Sequence, residues 1–85
     1  MNYEIIWDTQ PREFLRKIDK KDSQRIIKKI NHIAESPFRY VEKLIGMKGY
    51  KLRIGDFRSF LDIEQKQIIV LFLGHRKNIY KQRRF

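Results

Sequence analysis

Three cationic side chains, Lys51, Arg53 and Arg58, are spaced so that a β-hairpin would bring them together. The dipeptide Gly55-Asp56 separates two alternating segments, a pattern typical of a hairpin with a two-residue turn. In that register Arg53 lies opposite Arg58, and Lys51 shares their face because side chains alternate along a strand. Like charges on facing strands destabilise a sheet, whereas converging arginines bind phosphate through paired hydrogen bonds. The hairpin therefore predicts a phosphate-binding face.

A second group of candidates follows an apolar segment, in the sequence GHRKNIY at residues 74–80. Strand ends and loops are where proteins usually present functional side chains, which draws attention to His75 and Arg76. Histidine titrates near neutral pH, so His75 could transfer a proton, although its position suits a surface or capping residue equally well. Tyr80 could stack on an RNA base or anchor the C-terminal residues to the core. The residues themselves leave both roles open.

The charge of the chain indicates a polyanionic partner. Its 85 residues include 20 Lys and Arg against 10 Asp and Glu, a formal charge of +10, and no acidic residue follows Glu64. A solubilising surface would intersperse both signs, whereas a large charge of one sign favours binding to nucleic acid. We predict additional phosphate contacts from Lys48, Lys77, Lys81 and Arg83.

Composition also excludes several kinds of chemistry. The chain has no cysteine, which excludes disulfides and thiolate catalysis and disfavours zinc. The Glu-x-Lys at residues 64–66 is a short match to metal-dependent nucleases in a predicted turn, and we predict no metal and no cofactor. The N-terminal residues lack the pattern of a signal peptide, and the longest apolar run, residues 68–73, is too short to span a bilayer. We expect a soluble, cytoplasmic protein.

The elements that must position these residues are a strand, two helices and three further strands. Alternation over residues 3–7 predicts the first strand, and Pro11 favours the first turn of a helix that extends to about Lys20. A second helix begins at Asp22 or Ser23 and ends before Pro37. Its single apolar face comprises Ile26, Ile27, Ile30, Ile33 and Ala34.

Residues 38–49 are predicted to form a loop, and residues 50–54, 57–63 and 68–73 to form strands. The order β-α-α-β-β-β predicts an α+β fold, in which a helical hairpin packs on one face of a small antiparallel sheet. A chain of this length forms one domain, residues 1–85.

With these elements in order, the chain resembles the RelE toxins of type II toxin–antitoxin systems, within the RelE/ParE superfamily. The resemblance rests on the element order and on KLIGM at residues 43–47, YKLRIGDFR at residues 50–58 and GHRKNIY at residues 74–80. It covers essentially the whole chain. RelE toxins cleave messenger RNA on the ribosome and are silenced by an antitoxin. The resemblance therefore implies two partners, an acidic RelB-like antitoxin and a ribosome with mRNA in its decoding site.

The resemblance also implies a metal-independent reaction in which a ribose 2′-OH attacks its own 3′-phosphate. Arg58 and Arg76 would stabilise the charge on the scissile phosphate, and Lys51 would match a basic position before the turn. Some members carry lysine where this chain has Arg53, and arginine can bind phosphate but cannot act as a base. The candidates for proton transfer are Lys51, His75 and Tyr80.

Two other functions remain open at this point. A ParE-like toxin would poison DNA gyrase without cleaving RNA, which would leave the cations of the hairpin unexplained. A basic module that only binds RNA or the ribosome would need no catalytic residue.

Overall fold

A computed structural model of the chain describes residues 2–79. Three residues predicted to contact RNA, Tyr80, Lys81 and Arg83, lie outside the described residues. The elements in this range are strand β1 (Glu4–Trp7), helices α1 (Thr9–Lys17) and α2 (Lys20–Ile33), a 3-10 turn (Pro37–Arg39), and strands β2 (Val41–Lys43), β3 (Tyr50–Ile54), β4 (Phe57–Glu64) and β5 (Gln67–His75). No helix among them is long and apolar enough to cross a membrane.

Within residues 2–79 the strands form a five-stranded sheet in the order β1-β5-β4-β3-β2. The α+β fold with a helical hairpin on one face is confirmed. Two features differ from the prediction. Strand β1 runs parallel to β5, which makes the sheet mixed, and part of the predicted loop forms β2. The alternation of apolar residues identifies β1 as a strand but not the direction of the strand beside it. Strand β2 has only three residues, too few to show alternation.

The connection between the helices lies earlier than predicted. Helix α1 ends at Lys17 instead of about Lys20, and α2 begins at Lys20 with Asp19 at its N-cap position. Two residues, Ile18 and Asp19, lie between them, and Ile18 has an extended backbone and packs against the core. The break at Ile18 therefore lies four residues before Asp22, the first of the two residues that signalled a cap in the sequence.

Both helices cover the same face of the sheet, where the core forms. On α2, Ile26, Ile30 and Ile33 are fully buried, as the apolar periodicity predicted. They pack against Leu52, Ile54, Phe57, Leu61, Ile63, Ile68, Val70 and Leu73 of the sheet. This packing fixes β3 and β4 as a rigid support for the hairpin between them.

The opposite face of the sheet carries a smaller apolar cluster. The rings of Phe60 on β4 and Phe72 on β5 lie 6.4 Å apart, and Phe60 is only 1% exposed. Ile79 is fully buried, and a Cβ built on Gly74 would lie 3.2 Å from its side chain. Ile79 therefore packs on this face, and Gly74 permits the close approach.

Candidate nucleic-acid interface

The β3–β4 hairpin has the register that the sequence predicts. Arg53 pairs with Arg58 and Ile54 with Phe57, so the turn consists of Gly55 and Asp56. Gly55 has a φ of 57°, the positive value that a type II′ turn requires at its first central position. Two arginine side chains are therefore held on one face, opposite each other, at one end of the sheet.

The side chain of Arg58 folds over this turn. Its Nη1 donates hydrogen bonds to the carbonyl oxygens of Gly55 at 2.7 Å and Phe57 at 2.8 Å. A guanidinium has five N–H donors in a fixed plane, so three others remain for a ligand. The turn therefore fixes the orientation of Arg58 while one edge of the group stays available for an anion.

Arg76 is anchored to the same turn. Its backbone N–H donates to the carbonyl oxygen of Asp56 at 2.8 Å, and its Nε lies 3.5 Å from Oδ1 of that residue. The side chain is 52% exposed, so the contact does not remove it from solvent. Gly55, Asp56, Arg58 and Arg76 together are called the hairpin tip below. Sequence reasoning did not identify Asp56 as the partner of Arg76, because the two are twenty residues apart and only the pairing of β4 with β5 brings them together.

Lys51 and Arg53 lie on the same face as Arg58. Arg53 is exposed, whereas Lys51 is half-buried, with its Nζ 4.0 Å from Oε1 of Glu42. Glu42 pairs with Lys51 across β2 and β3. The sequence analysis missed this carboxylate because it treated residues 38–49 as a loop.

His75 lies on the other face of the sheet from these cations. It pairs with Phe57, which points towards the helices, and the two rings are 5.7 Å apart. The Nδ1 of His75 accepts a hydrogen bond from the backbone N–H of Lys77 at 3.2 Å. The sheet thus separates His75 from Arg53 and Arg58, while Lys51 shares their face.

A β-bulge in β5 produces this orientation. Phe60 pairs with Phe72 but the next residue, Leu61, pairs with Val70, so Leu71 is the extra residue of β5. One inserted residue exchanges the two faces of every position beyond it. Simple alternation from Ile68 would have put His75 on the face of the arginines, and the bulge reverses it.

The two other described lysines that the sequence predicts to contact phosphate are Lys48 and Lys77, and Lys48 lies away from the hairpin tip. The Nζ of Lys48 lies 3.6 Å from carboxylate oxygens of both Asp62 and Glu64. Asp62 is four residues along β4 from Arg58, which corresponds to about 13 Å. Lys77 is exposed in the turn after β5. In the part of the chain described here, no group of three or more His, Cys, Asp or Glu residues could hold a metal ion.

This geometry suits the binding of a phosphate more than acid–base chemistry by carboxylates. Three arginines, Arg53, Arg58 and Arg76, lie at the hairpin end of the sheet, and charge-assisted hydrogen bonds from such groups are the strong ones in proteins. The carboxylate of Asp56 contacts Arg76 and stabilises its position. The tip can therefore stabilise negative charge that develops on a phosphate held against it.

Comparison with protein families yields one match that covers most of the chain. The model of the ParE toxin of the type II toxin–antitoxin system parDE matches residues 5–80. No curated relative matches the sequence.

Several solved structures have the same fold. The toxin RelE of E. coli in the free state, with two substitutions, is 25% identical, with a TM-score of 0.74 over 94% of this chain and 90% of that chain. The archaeal RelE–RelB complex from Pyrococcus horikoshii is also 25% identical, with a TM-score of 0.75 over 89% and 97%. A RelBE toxin–antitoxin complex from Mycobacterium tuberculosis has a TM-score of 0.82 over 89% and 100%, and its 18% identity supports likeness of fold alone.

Proposed function

The chain belongs to the ParE toxin family of type II toxin–antitoxin systems, within the RelE/ParE superfamily, and on this premise we propose that it is a metal-independent endoribonuclease that cleaves mRNA on the ribosome. The observation that carries the proposal is the hairpin tip, where one turn anchors both Arg58 and Arg76 beside Arg53. A toxin that acted only by occupying a protein surface would not need guanidinium groups held in this way.

In the proposed reaction the substrate supplies its own nucleophile. The 2′-hydroxyl of a ribose loses its proton as its oxygen forms a bond to the adjacent phosphorus. The bond from phosphorus to the 5′-oxygen of the next nucleotide breaks, and that oxygen takes up a proton. The products are a 2′,3′-cyclic phosphate and a 5′-hydroxyl end. Arg58 and Arg76 stabilise the charge on the non-bridging oxygens, and Arg53 binds a neighbouring phosphate.

Lys51 is the described residue best located to exchange a proton with the substrate. It lies on the face of Arg53, two residues along β3, or about 7 Å. His75 is less suited, because its ring packs on Phe57 on the helix side and its Nδ1 already accepts a hydrogen bond. Tyr80, the third candidate, lies outside the described residues.

The proposed partners are an acidic RelB-like antitoxin and the mRNA-loaded ribosome. Several structures with this fold were solved as toxin–antitoxin complexes. The charge of +10 favours rapid, electrostatically steered capture by an acidic protein as well as by RNA.

A second candidate, poisoning of DNA gyrase, is favoured by the family match, since the matching model describes a ParE toxin. The two functions predict different lesions. We expect brief expression of the wild-type toxin to create new RNA 5′ ends within translated codons and to leave chromosomal DNA intact. DNA breaks with intact RNA would instead establish the gyrase poison. The absence of both lesions would indicate a module that only binds.

A variant at the hairpin tip provides the control for this experiment. Arg76→Gln should abolish most of the new RNA ends while the protein remains folded, because Arg76 is half-exposed and forms only a surface ion pair. Arg16→Gln changes an exposed arginine of α1 by the same charge and should cleave as the wild type does.

A further inference from the structure

A second cationic surface lies on the helix side of the molecule. The side chains of Arg25, Lys28, Lys29 and His32 on α2 line a shallow depression of about 290 Å³, here called the α2 cationic surface. It begins at the hairpin, since a Cβ built on Gly55 would lie 3.2 Å from Nη1 of Arg25. From there it extends along α2 for about 10 Å, the rise of seven helical residues.

The spacing of these cations costs the helix stability. Arg25 and Lys29 are four residues apart, and Lys28 and Arg25 three apart, so like charges are neighbours on the helix surface. Among residues 2–79 no carboxylate lies within ion-pair distance of any of the three, although Asp22 is one turn before Arg25. By contrast, Lys48, Lys51 and Arg76 each have a carboxylate partner. A bound polyanion would relieve this repulsion.

An aromatic side chain lies at the far end of this surface. Tyr40 is 37% exposed, its hydroxyl shares a hydrogen bond with Nε2 of His32 at 3.2 Å, and Nζ of Lys29 lies 5.1 Å from its ring centre. A row of cations that ends beside an exposed aromatic ring is an arrangement that suits a nucleic acid backbone with a base nearby.

We propose that Arg25, Lys28 and Lys29 bind the phosphate backbone of a folded RNA other than the strand that is cleaved. The α2 cationic surface and the Lys51–Arg53 face lie on opposite sides of the sheet, so one short strand cannot occupy both. The two surfaces meet at the hairpin tip, where Nη1 of Arg25 lies beside Gly55 of the turn that anchors Arg58. The inference rests on the proposed function, because the ribosome is the partner that presents an mRNA strand and a folded RNA together.

The test compares two variants that each lose three positive charges from a helix. Arg25→Gln/Lys28→Gln/Lys29→Gln removes the α2 cationic surface, and Arg12→Gln/Arg16→Gln/Lys17→Gln removes exposed cations of α1. Glutamine is a good helix former, so both should retain wild-type circular dichroism. Cosedimentation with mRNA-programmed 70S ribosomes at several salt concentrations measures the affinity.

For the α2 variant we expect binding at least about tenfold weaker at moderate salt, and a slope of log K against log salt lower by about 2–3, one phosphate contact per lost cation. The α1 variant should retain the wild-type slope. Equal losses in both variants, or a loss in neither, would overturn the proposal. A fall in antitoxin affinity with unchanged ribosome binding would also overturn it, since the surface would then face a protein.

Parallel cleavage assays separate this proposal from the proposed function. A wild-type toxin that binds ribosomes through α2 but leaves mRNA intact would refute the nuclease and retain the surface. Normal cleavage and normal binding by the α2 variant would refute the surface and retain the nuclease.

Discussion

The hairpin tip and the α2 cationic surface hold their charges in different ways. At the tip, Arg58 is bound to two backbone carbonyl oxygens and Arg76 to the carboxylate of Asp56. On α2, Arg25 and Lys28 have no carboxylate within ion-pair distance in the described part of the chain. One region fixes the orientation of its cations, and the other concentrates positive charge without fixing it.

This difference corresponds to two physical tasks. Stabilising a transition state requires donors that are already oriented when charge develops, which is what the turn provides for its arginines. Attraction of a polyanion requires only charge, because counterion release does not depend on a precise geometry. We infer that evolution can vary the α2 cations more freely than the turn that holds Arg58 and Arg76.

Among the substitutions that test this comparison, replacement of Arg58 with lysine should lower cleavage most. Arg58→Lys keeps the charge but loses the planar set of donors, and we expect cleavage to fall by about 10²–10³-fold. Single-turnover cleavage on programmed ribosomes measures the rate, and thermal melting confirms the fold. Conversely, Lys28→Arg on α2 should leave ribosome affinity near that of the wild type. If Arg58→Lys cleaved normally, charge alone would suffice at the tip and the comparison would fail.

Asp56→Asn tests whether orientation of Arg76 matters. The substitution removes the contact between the carboxylate and Nε but leaves the backbone hydrogen bond from Arg76 to the turn. Small misplacements of a catalytic group reduce rates, and we expect cleavage to fall by about tenfold. Ribosome affinity should be unchanged or rise slightly, since a negative charge has gone. A faster reaction would instead mean that Asp56 competes with the substrate for Arg76.

Arg53→Thr should stabilise the free toxin. The observed pairing puts Arg53 directly opposite Arg58, and relief of a like-charge cross-strand pair contributes about 0.2–1 kcal/mol. In a domain of this size 1 kcal/mol moves the Tm by about 4–8 °C, and the gain should be greatest at low salt. The matched control, Arg53→Lys, keeps the charge and should not gain stability. Lower melting together with unaffected cleavage would show that Arg53 has a structural role only.

Lys48→Gln should have the smallest effect. Lys48 is 74% exposed and contacts the carboxylates of Asp62 and Glu64, about 13 and about 20 Å along β4 from Arg58, and such surface ion pairs contribute about 0–1 kcal/mol. We expect cleavage within about twofold of wild type and nearly unchanged melting. A large loss of cleavage would instead support the phosphate contact that the sequence predicts for Lys48, and would mean that the RNA extends along β4 beyond the hairpin tip.

The register of the hairpin could be predicted from the sequence because it depends on local turn chemistry. A glycine in a two-residue turn fixes which residues face each other, and Arg53 lies opposite Arg58 as expected. The apolar face of α2 was equally local, since helical periodicity alone identifies Ile26, Ile30 and Ile33.

The contacts that depend on distant pairing could not be predicted in this way. The ion pair between Asp56 and Arg76 needs the alignment of β4 with β5, and the orientation of His75 depends on the bulge at Leu71. A bulge leaves no clear mark in the hydrophobic pattern of a strand that is apolar on both faces, as β5 is. The pairing of β2 with β3, and with it the contact between Glu42 and Lys51, could not be predicted because a strand of three residues is too short to show alternation.

The most direct test of the account is single-turnover cleavage of a defined mRNA on programmed ribosomes, with saturating toxin and analysis of the product ends. The wild type and Arg16→Gln should give the same rate, with 2′,3′-cyclic phosphate and 5′-hydroxyl ends. Arg76→Gln should be slower by about 10²–10³-fold while it melts at nearly the wild-type temperature. Equal rates for Arg76→Gln and Arg16→Gln would contradict the assignment of catalysis to the hairpin tip.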